Sequence, residues 1–432
     1  MGRALPLLWL AAFAVFHVWN FVHYDPLTGY DGQAHLRVLV YYGLWGHAPT
    51  SGYATTNPPL YYLLAGALYR LAHDYKAVQA LSLALFCCNV AIVKRLLWSA
   101  TRAPLLRWSA LSFIAFLPVH ITYAYMVFNY SLAQTEALLA VYCLYSFAQR
   151  PRKLALAAAG ALTSLGIVTA LTNLYLVPLA GISALFFGPA QLKRRWAWAL
   201  SFVLGVLLTL APFYAYEQSK HGCFFCTSHR VVAQQPASQL YPRSFYTDVK
   251  LSGLREPYFH HVDNSLWNLL YETAFGDYFG YLIPARLSDR APSHAGLTSS
   301  GRHYLDRARQ QQLAWLNFIA LPIALALSAA LARSCFRSLA WLPRMERDRP
   351  PLSLLFVLTT GLVFAQFLSY IHRYTSQGHV NVHAGYLLIV FLLGPVELVR
   401  WLDEQQSRRL RALVALSFLV YAGAAYWVFL LR

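Results

Sequence analysis

Apolar runs of about 20 residues recur along the 432-residue chain and constrain its fold more than any other feature. A helix of that length crosses the hydrocarbon core of a bilayer. Charged residues make up only 12% of the chain, whereas soluble domains average about 25%. The pattern predicts an all-α polytopic membrane protein. The first run, from Leu5 to Val22, lacks a strongly basic start and a small-residue cleavage site, so we expect a retained helix rather than a signal peptide.

The net charge of +18 lies mostly in short basic clusters between the apolar runs. That distribution indicates membrane topology and not a partner such as nucleic acid. Cytoplasmic loops of membrane proteins carry an excess of lysine and arginine. We therefore expect five clusters to be cytoplasmic: Lys94 to Arg107, Arg150 to Lys153, Lys193 to Arg195, Arg333 to Arg349 and Arg400 to Arg411.

With these clusters inside, the chain is predicted to have about eleven spans and a cytoplasmic N-terminus. Residues 23–75 and 217–312 are then external, and four spans follow in 313–432. The stretch 154–188 is too long for one span and is divided near residues 171–173. The predicted spans are about 5–22, 76–97, 108–127, 131–148, two within 154–188, 197–216, 313–332, 352–371, 384–401 and 412–431.

The external segment 262–285 is apolar and aromatic but carries Asp263, Glu272 and Asp277. A charge near the centre of a span costs a few kcal/mol, so we do not expect this segment to cross the membrane. Two alternatives remain. It forms an aromatic helix in the membrane interface, with Trp267 at headgroup level, or a helix packed on the outer ends of the bundle.

The external segment also contains the sequence "HGCFFC", which includes Cys223 and Cys226. A Cys-x-x-Cys pair in an oxidising compartment forms a small disulfide loop, a redox centre or half of a metal site. No second external cysteine pair is present, and no thioredoxin-like pattern surrounds the first. We therefore expect a structural disulfide.

The sequence "TGYDGQAHLRVL", residues 28–39, follows the first span directly and is unusually polar. Thr28 and Asp31 match a capping box, in which both residues begin a helix expected from about residue 29 to 45. Asp31 and His35 are also four residues apart, which puts both on one face of that helix. Asp31 is thus either a capping residue or a functional carboxylate, and Asp25 lies just upstream.

The sequence "TTNPPLYYLL" comes next and includes Asn57. Pro58 and Pro59 cannot continue a helix but suit its first turn, so a second external helix is expected to begin there. The order is span, carboxylate helix, loop, aromatic helix and span.

This order resembles the GT-C superfamily of polytopic membrane glycosyltransferases, and in particular the branch with protein O-mannosyltransferases and aminoarabinose transferases. In that branch an acidic residue follows the first span, and a "HPPLYY"-type element precedes the second. Asn57 stands at the position of that histidine. "VFNYSLAQ" and "TSQGHVNVHAGYLL" are similar to later motifs of the family, with Ser131 in place of an acid and His379 in place of an arginine.

The resemblance implies a bundle with external juxtamembrane helices in three parts. These are a catalytic module with seven spans (1–216), an external, periplasmic segment (217–312) and four C-terminal spans (313–432). It also implies transfer of a sugar from a polyprenyl-phosphate-type carrier to a glycan, lipid or protein acceptor on the non-cytoplasmic face. The expected location is a bacterial inner membrane, or an endoplasmic reticulum membrane with a lumenal site in a eukaryote.

The resemblance points to Asp31 as the general base, with Asp25 as the second candidate. His35 is expected to orient that carboxylate or to contact the phosphate, and Asn57 is a further candidate. Glu136 is an ionisable group inside a predicted span, which indicates either function or pairing with a neighbouring helix. Cationic candidates for the leaving phosphate are Arg373, His379, His383, Lys250 and Arg255.

Two other functions stay open. A transporter or flippase of lipid-linked sugars would be expected to show internal repeats and helices interrupted at midplane, which the sequence does not indicate. A non-catalytic scaffold with this fold is the second alternative. No metal motif is present and no cofactor is fixed, although a divalent cation stays open. Membrane lipids are expected partners, and nucleic acid is not.

Overall fold

The computed structural model describes residues 4–26, 32–47, 49, 57–188, 192–222, 241–250, 265–276, 307–345, 350–373, 384–405 and 407–430. The described residues are 88% helical, and no strand occurs among them. The prediction of an all-α polytopic membrane protein is confirmed.

The described residues form sixteen α-helices. In chain order these are α1 Ala4–His23, α2 Gly32–Trp45, α3 Leu60–Ala72, α4 Tyr75–Ala100, α5 Pro104–Ala115, α6 Pro118–Tyr125, α7 Asn129–Gln149, α8 Lys153–Thr169, α9 Leu176–Phe187, α10 Leu192–His221, α11 Arg243–Thr247, α12 Leu266–Phe275, α13 Arg307–Trp341, α14 Leu352–Arg373, α15 Leu388–Gln405 and α16 Arg408–Leu430. Short 3-10 turns lie at Leu171–Asn173, Leu342–Arg344 and Ala384–Leu387.

Six helices of the described part are long and apolar enough to cross a membrane, and α5 with α6 makes a seventh if the two count as one broken span. The predicted number of about eleven is therefore not confirmed. The helices α8 and α9 have 17 and 12 residues, which is short for a 30 Å hydrocarbon core at 1.5 Å per residue. The division of 154–188 falls where expected, at the turn Leu171–Asn173.

The predicted span 108–127 is a broken helix, with a bend of 55° between α5 and α6. Pro118 has no backbone N–H and cannot bond the carbonyl of Ile114, four residues earlier. The imidazole Nδ1 of the buried His120 donates to that carbonyl instead, at 3.0 Å. The hydropathy pattern predicted one continuous helix here, and Pro118 is the physical reason for the interruption.

The helix α12 lies in the segment predicted to be external, residues 217–312, and is packed into the bundle. Eight of its ten residues are buried, including Glu272. The Thr273 hydroxyl accepts from the Ala384 amide at 2.8 Å, and the Tyr421 hydroxyl of α16 donates to the Phe275 carbonyl at 2.8 Å. Trp267 is exposed. This burial favours the packed helix over one that lies in the membrane interface.

Two hydrophobic cores are present among the described residues. The large core runs through the bundle from Phe16 of α1 to Phe429 of α16. A separate small core joins α2 and α3 to the start of α4. Its buried members are Leu36, Val38, Leu39, Tyr61, Tyr62, Ala65, Val78 and Val127. The helix pair α2–α3 is thus a packed unit attached to one end of the bundle.

The direction of the bundle in the membrane can be tested by labelling single cysteines on whole cells. We expect a membrane-impermeant thiol reagent to label position 240 and not positions 151 or 194, because the last two lie in or beside basic clusters. Labelling of 151 or 194 from outside, or failure to label 240 in protein that is labelled after lysis, would reverse the predicted orientation.

Candidate functional site

The helices α2 and α3 cross at two glycines. A Cβ atom built on Gly43 would lie 2.7 Å from the Gly66 carbonyl oxygen, and one built on Gly66 would lie 2.8 Å from the Gly43 nitrogen. Both distances are far below van der Waals contact, so the backbones can approach this closely only without side chains. The crossing fixes the position of α2, which carries His35, against α3, which carries Tyr62.

A chain of hydrogen bonds joins the polar segment at residues 28–39 to the "TTNPPLYYLL" segment. Nδ1 of His35 lies 2.5 Å from the Tyr62 hydroxyl, and the Asn57 amide donates to that hydroxyl at 2.9 Å. Because the hydroxyl accepts from Asn57, we assign its own proton to the bond with Nδ1 of His35. Nε2 then carries the imidazole proton. The Tyr62 hydroxyl thus connects His35 and Asn57 by hydrogen bonds.

The environment of His35 keeps its imidazole neutral. The side chain is 3% exposed, and burial lowers its pKa from 6.5 to about 3. Its ring packs edge-on against Phe128, with centroids 4.5 Å apart, and stacks near Tyr62. A neutral imidazole orients neighbouring groups by hydrogen bonding but brings no positive charge to a phosphate.

Lys76, near the start of α4, binds the C-terminal end of α1. Its ammonium donates to the carbonyls of Phe21, Tyr24 and Val22 at 2.6, 2.7 and 3.3 Å, and to the Gln79 side chain at 2.9 Å. These carbonyls belong to the last turn and the end of α1, where no further helical N–H reaches them. An exposed Asp25 follows, close enough to interact electrostatically with Lys76.

We expect Lys76→Met to lower the thermal unfolding temperature of the purified protein by several degrees. The substitution leaves the partly buried carbonyls of Phe21 and Tyr24 without this donor, and an unsatisfied carbonyl costs up to roughly 1–3 kcal/mol when it is fully buried. Lys94→Met on the same helix is the matched control, because its exposed ammonium faces Trp98 rather than backbone carbonyls. Equal shifts for the two variants would contradict the role of Lys76 as a clamp.

The start of α7 brings a second group of polar side chains into the interior. The Asn129 amide donates to the Thr169 carbonyl at 3.1 Å, and the Gln134 amide donates to the Gly385 carbonyl at 3.4 Å. Glu136 is 6% exposed, and its Oε2 atom has no hydrogen-bond partner among the described residues. The Asn129 and Gln134 side-chain oxygens are also unpartnered there. This end of α7 is therefore rich in acceptors.

The other residues predicted to be functional lie in several parts of the chain. Lys250 is tied by its backbone to Asn268, with N–H···O at 2.9 Å in one direction and 2.6 Å in the other. Arg373 is the last residue of α14. Outside the described residues lie Asp31, His379, His383, Arg255, Cys223 and Cys226. The structure thus links His35 and Asn57 through the Tyr62 hydroxyl. That the other candidate residues belong to the same site stays a prediction.

Two residues of this region, Tyr62 and Lys76, were not identified as candidates from the sequence. Tyr62 stands in the quoted "NPPLYY" element, where a tyrosine five residues after Asn57 can return its hydroxyl to the start of the helix. Lys76 had a weaker signal: it is a cation at the external end of a predicted span, away from the basic clusters. Among the described residues, no group of three or more His, Cys, Asp or Glu side chains is placed to hold a metal ion.

Comparisons with known proteins bear on the fold. No protein-family model matches the sequence, and no curated protein matches it. Several solved structures do match it. The oligosaccharyltransferase of Archaeoglobus fulgidus in its apo form has a TM-score of 0.53 at 12% identity, over 99% of this chain and 56% of that one. This chain therefore spans little more than half of that protein.

Two structures of ArnT from Cupriavidus metallidurans also match. The apo state has a TM-score of 0.42 at 17% identity, over 98% of this chain and 76% of that one. The complex with undecaprenyl phosphate has a TM-score of 0.43 at 16% identity, over 100% and 76%. The likeness to the oligosaccharyltransferase is one of fold, and it confirms the GT-C-type fold expected from the motifs.

Proposed function

We propose that this chain is a membrane glycosyltransferase that takes a sugar from a polyprenyl-phosphate carrier and transfers it to an acceptor on the non-cytoplasmic face. The observation that carries the proposal is the helix pair α2–α3. The pair has its own core, follows α1 and is joined to Asn57 by a chain of hydrogen bonds through His35 and Tyr62. The fold shared with an oligosaccharyltransferase supports it.

In the proposed reaction, an acceptor hydroxyl attacks the anomeric carbon of the carrier-bound sugar. A new C–O bond forms, and the bond from the anomeric carbon to the carrier phosphate oxygen breaks. The phosphate leaves with the electron pair, and the acceptor proton passes to a carboxylate, for which Asp31 is the first candidate. Asp31 directly precedes Gly32, the first residue of α2.

The neutral, buried His35 has a positioning role in this mechanism. Tyr62 and Asn57 fix its ring, and Gly43 and Gly66 fix the helix that carries it. The positive charge that the leaving phosphate needs then comes from other groups. Arg373 and Lys250 are proposed for it, together with Arg255, His379 and His383 outside the described residues.

A flippase for a lipid-linked sugar is the second candidate function. The bend of 55° between α5 and α6 favours it, since interrupted helices are common in transporters. The two functions differ in one bond: a flippase moves the intact donor between leaflets, whereas a transferase releases the free carrier phosphate.

The test uses a deletion strain and the purified protein. For a transferase we expect the strain to accumulate the lipid-linked donor together with an undermodified envelope glycan, lipid or protein. Vesicles containing the protein and the accumulated donor should release polyprenyl phosphate when the undermodified acceptor is added outside. Movement of the donor across the bilayer without cleavage would support the flippase, and neither activity would support a scaffold.

A further inference from the structure

Two buried glutamates of the bundle, Glu136 of α7 and Glu397 of α15, have opposite surroundings. They are 6% and 3% exposed. Glu397 accepts from the Arg400 guanidinium at 2.6 Å and from the Ser334 hydroxyl at 3.0 Å, so it is an ionised carboxylate with a cation beside it. Glu136 forms no ion pair within the described part of the chain, and its Oε2 atom has no hydrogen-bond partner there.

The helices packed around Glu136 bring no cation to it. Glu136 is the one charged residue of α7, and Lys153 is the one charged residue of α8. Lys153 begins α8, sixteen residues before Thr169, which is about 24 Å at 1.5 Å per residue. On α4, which also packs against α7, Lys76 binds the end of α1 and Lys94 faces a tryptophan. An ionised Glu136 would therefore be a buried charge without a counter-charge.

Thr169, the last residue of α8, is the hydrogen-bonding neighbour of the Glu136 carboxyl, and it offers oxygen atoms rather than protons. Its hydroxyl donates to the Leu165 carbonyl, one turn earlier, at 3.0 Å. A hydroxyl has one proton and two lone pairs, so this hydroxyl meets the carboxyl as an acceptor. The Thr169 carbonyl already accepts from the Asn129 amide at 3.1 Å.

A proton on Glu136 resolves this arrangement of facing oxygens. Burying an ionised carboxylate without a partner costs so much free energy that such a group takes up a proton instead. A neutral carboxylic acid has one O–H donor, which the Thr169 hydroxyl oxygen can accept. The proton needs no cavity, because the two groups already lie within hydrogen-bonding reach.

We propose that Glu136 is a proton-binding site, a neutral carboxylic acid whose O–H donates to the Thr169 hydroxyl oxygen and joins α7 to the last turn of α8. The Asn129 amide bonds the same residue, so both bonds hold the start of α7. Phe128, directly before that helix, packs against His35. Glu136 is thus a positioning residue of the bundle. Its protonation does not depend on the proposed transferase activity.

The experiment compares infrared spectra of the full-length wild-type protein and Glu136→Gln, both reconstituted in lipid at neutral pH. Glutamate is isotope-labelled at its side-chain carboxyl carbon, which separates its bands from those of aspartate and the backbone. We expect the variant to lose one C=O band of a neutral acid and no carboxylate band. Glu397→Gln is the matched control, since Glu397 is as buried but ion-paired, and it should lose a carboxylate band instead.

Thr169→Val tests the hydrogen bond itself. Valine has no oxygen to accept from the acid, so the C=O band of Glu136 should move to a higher frequency. Thr163→Val is the matched control on α8, because the Thr163 hydroxyl is also buried but donates to the Ala159 carbonyl of its own helix. It should leave the band in place. A purely structural effect of losing a hydroxyl would not distinguish the two variants in this way.

Thermal unfolding gives a second criterion. Glu136→Gln should unfold close to the wild-type temperature, because an amide N–H replaces the acid O–H as donor. Glu397→Gln should unfold several degrees lower, because Arg400 then lacks its counter-charge. If Glu136→Gln does not fold, Glu136→Asp takes its place in the infrared comparison, since unlabelled aspartate also removes the labelled band.

Three results would overturn the proposal. The first is loss of a carboxylate band in Glu136→Gln, and dependence of that band on sodium as against choline would assign a bound metal cation instead. The second is an acid band that does not move in Thr169→Val. The third is a loss of stability in Glu136→Gln as large as that in Glu397→Gln.

Discussion

Replacing Asp31 by asparagine is expected to lower sugar transfer by about a hundredfold or more, because an amide cannot accept the acceptor proton as a general base. Asparagine keeps the size of the side chain and caps a helix as well as aspartate does. If Asp31 only begins α2, the substitution should therefore cost less than about 1 kcal/mol and leave activity nearly intact. Complementation of the deletion strain measures the activity, with protein abundance determined in parallel.

Asp25→Asn is the matched control for this prediction. Asp25 is exposed at the end of α1 beside Lys76, so its replacement should affect transfer less than that of Asp31. His35→Ala should cause an intermediate loss, as expected for a positioning residue. Normal complementation by Asp31→Asn at wild-type abundance would remove Asp31 from the mechanism. A larger effect at Asp25 would exchange the two aspartates.

Adding a methyl group at the crossing of α2 and α3 is expected to have the second largest effect. In Gly43→Ala the new Cβ would meet the Gly66 carbonyl oxygen at 2.7 Å, so the two helices must move apart. Overpacking of this kind costs about 1–3 kcal/mol. The movement also separates His35 from Tyr62, and a displacement near 1 Å at a reacting centre can lower activity about a hundredfold. Thermal unfolding and complementation measure the two effects.

The control for the crossing is Gly361→Ala on α14, where a Cβ atom meets no neighbour within 4 Å. It should leave both the unfolding temperature and activity close to wild type. A double-mutant cycle gives a sharper criterion. Once Gly43→Ala has separated the helices, Gly66→Ala should add little, so the two effects should be strongly non-additive. Independent, additive effects would show that the crossing does not act as one contact.

Much of the helical framework could be predicted from the sequence, because the hydropathy of a span is a local property. The helices α4, α7 and α14 begin and end within three residues of the predicted spans 76–97, 131–148 and 352–371. The break at Pro118 could also have been predicted, because a proline has no backbone N–H to continue the helical hydrogen bonds. The Lys193 to Arg195 cluster, at the start of α10, likewise marked a boundary.

The contacts that build the candidate site were harder to predict. Lys76 binds carbonyls more than fifty residues earlier, and nothing near Lys76 in the sequence specifies that partner. Gly43 and Gly66 look like ordinary helix-weakening residues until their helices are seen to cross. Sequence patterns thus indicated which segments hold the candidate polar side chains, whereas the pairing of His35 with Tyr62 depends on tertiary packing.

The position of α12 has a consequence for how the protein is made. Its carbonyl at Phe275 is bound by Tyr421 of α16, and its Thr273 is bound by Ala384. Both partners are synthesised more than a hundred residues after α12, so α12 cannot complete these contacts when it is first synthesised. Until α16 has been synthesised, Phe275 of α12 lacks its contacts with Tyr421. A chain that stops before α16 would lack both the Tyr421 hydrogen bond and the aromatic contact to Phe275, so the position of α12 depends on the completed bundle.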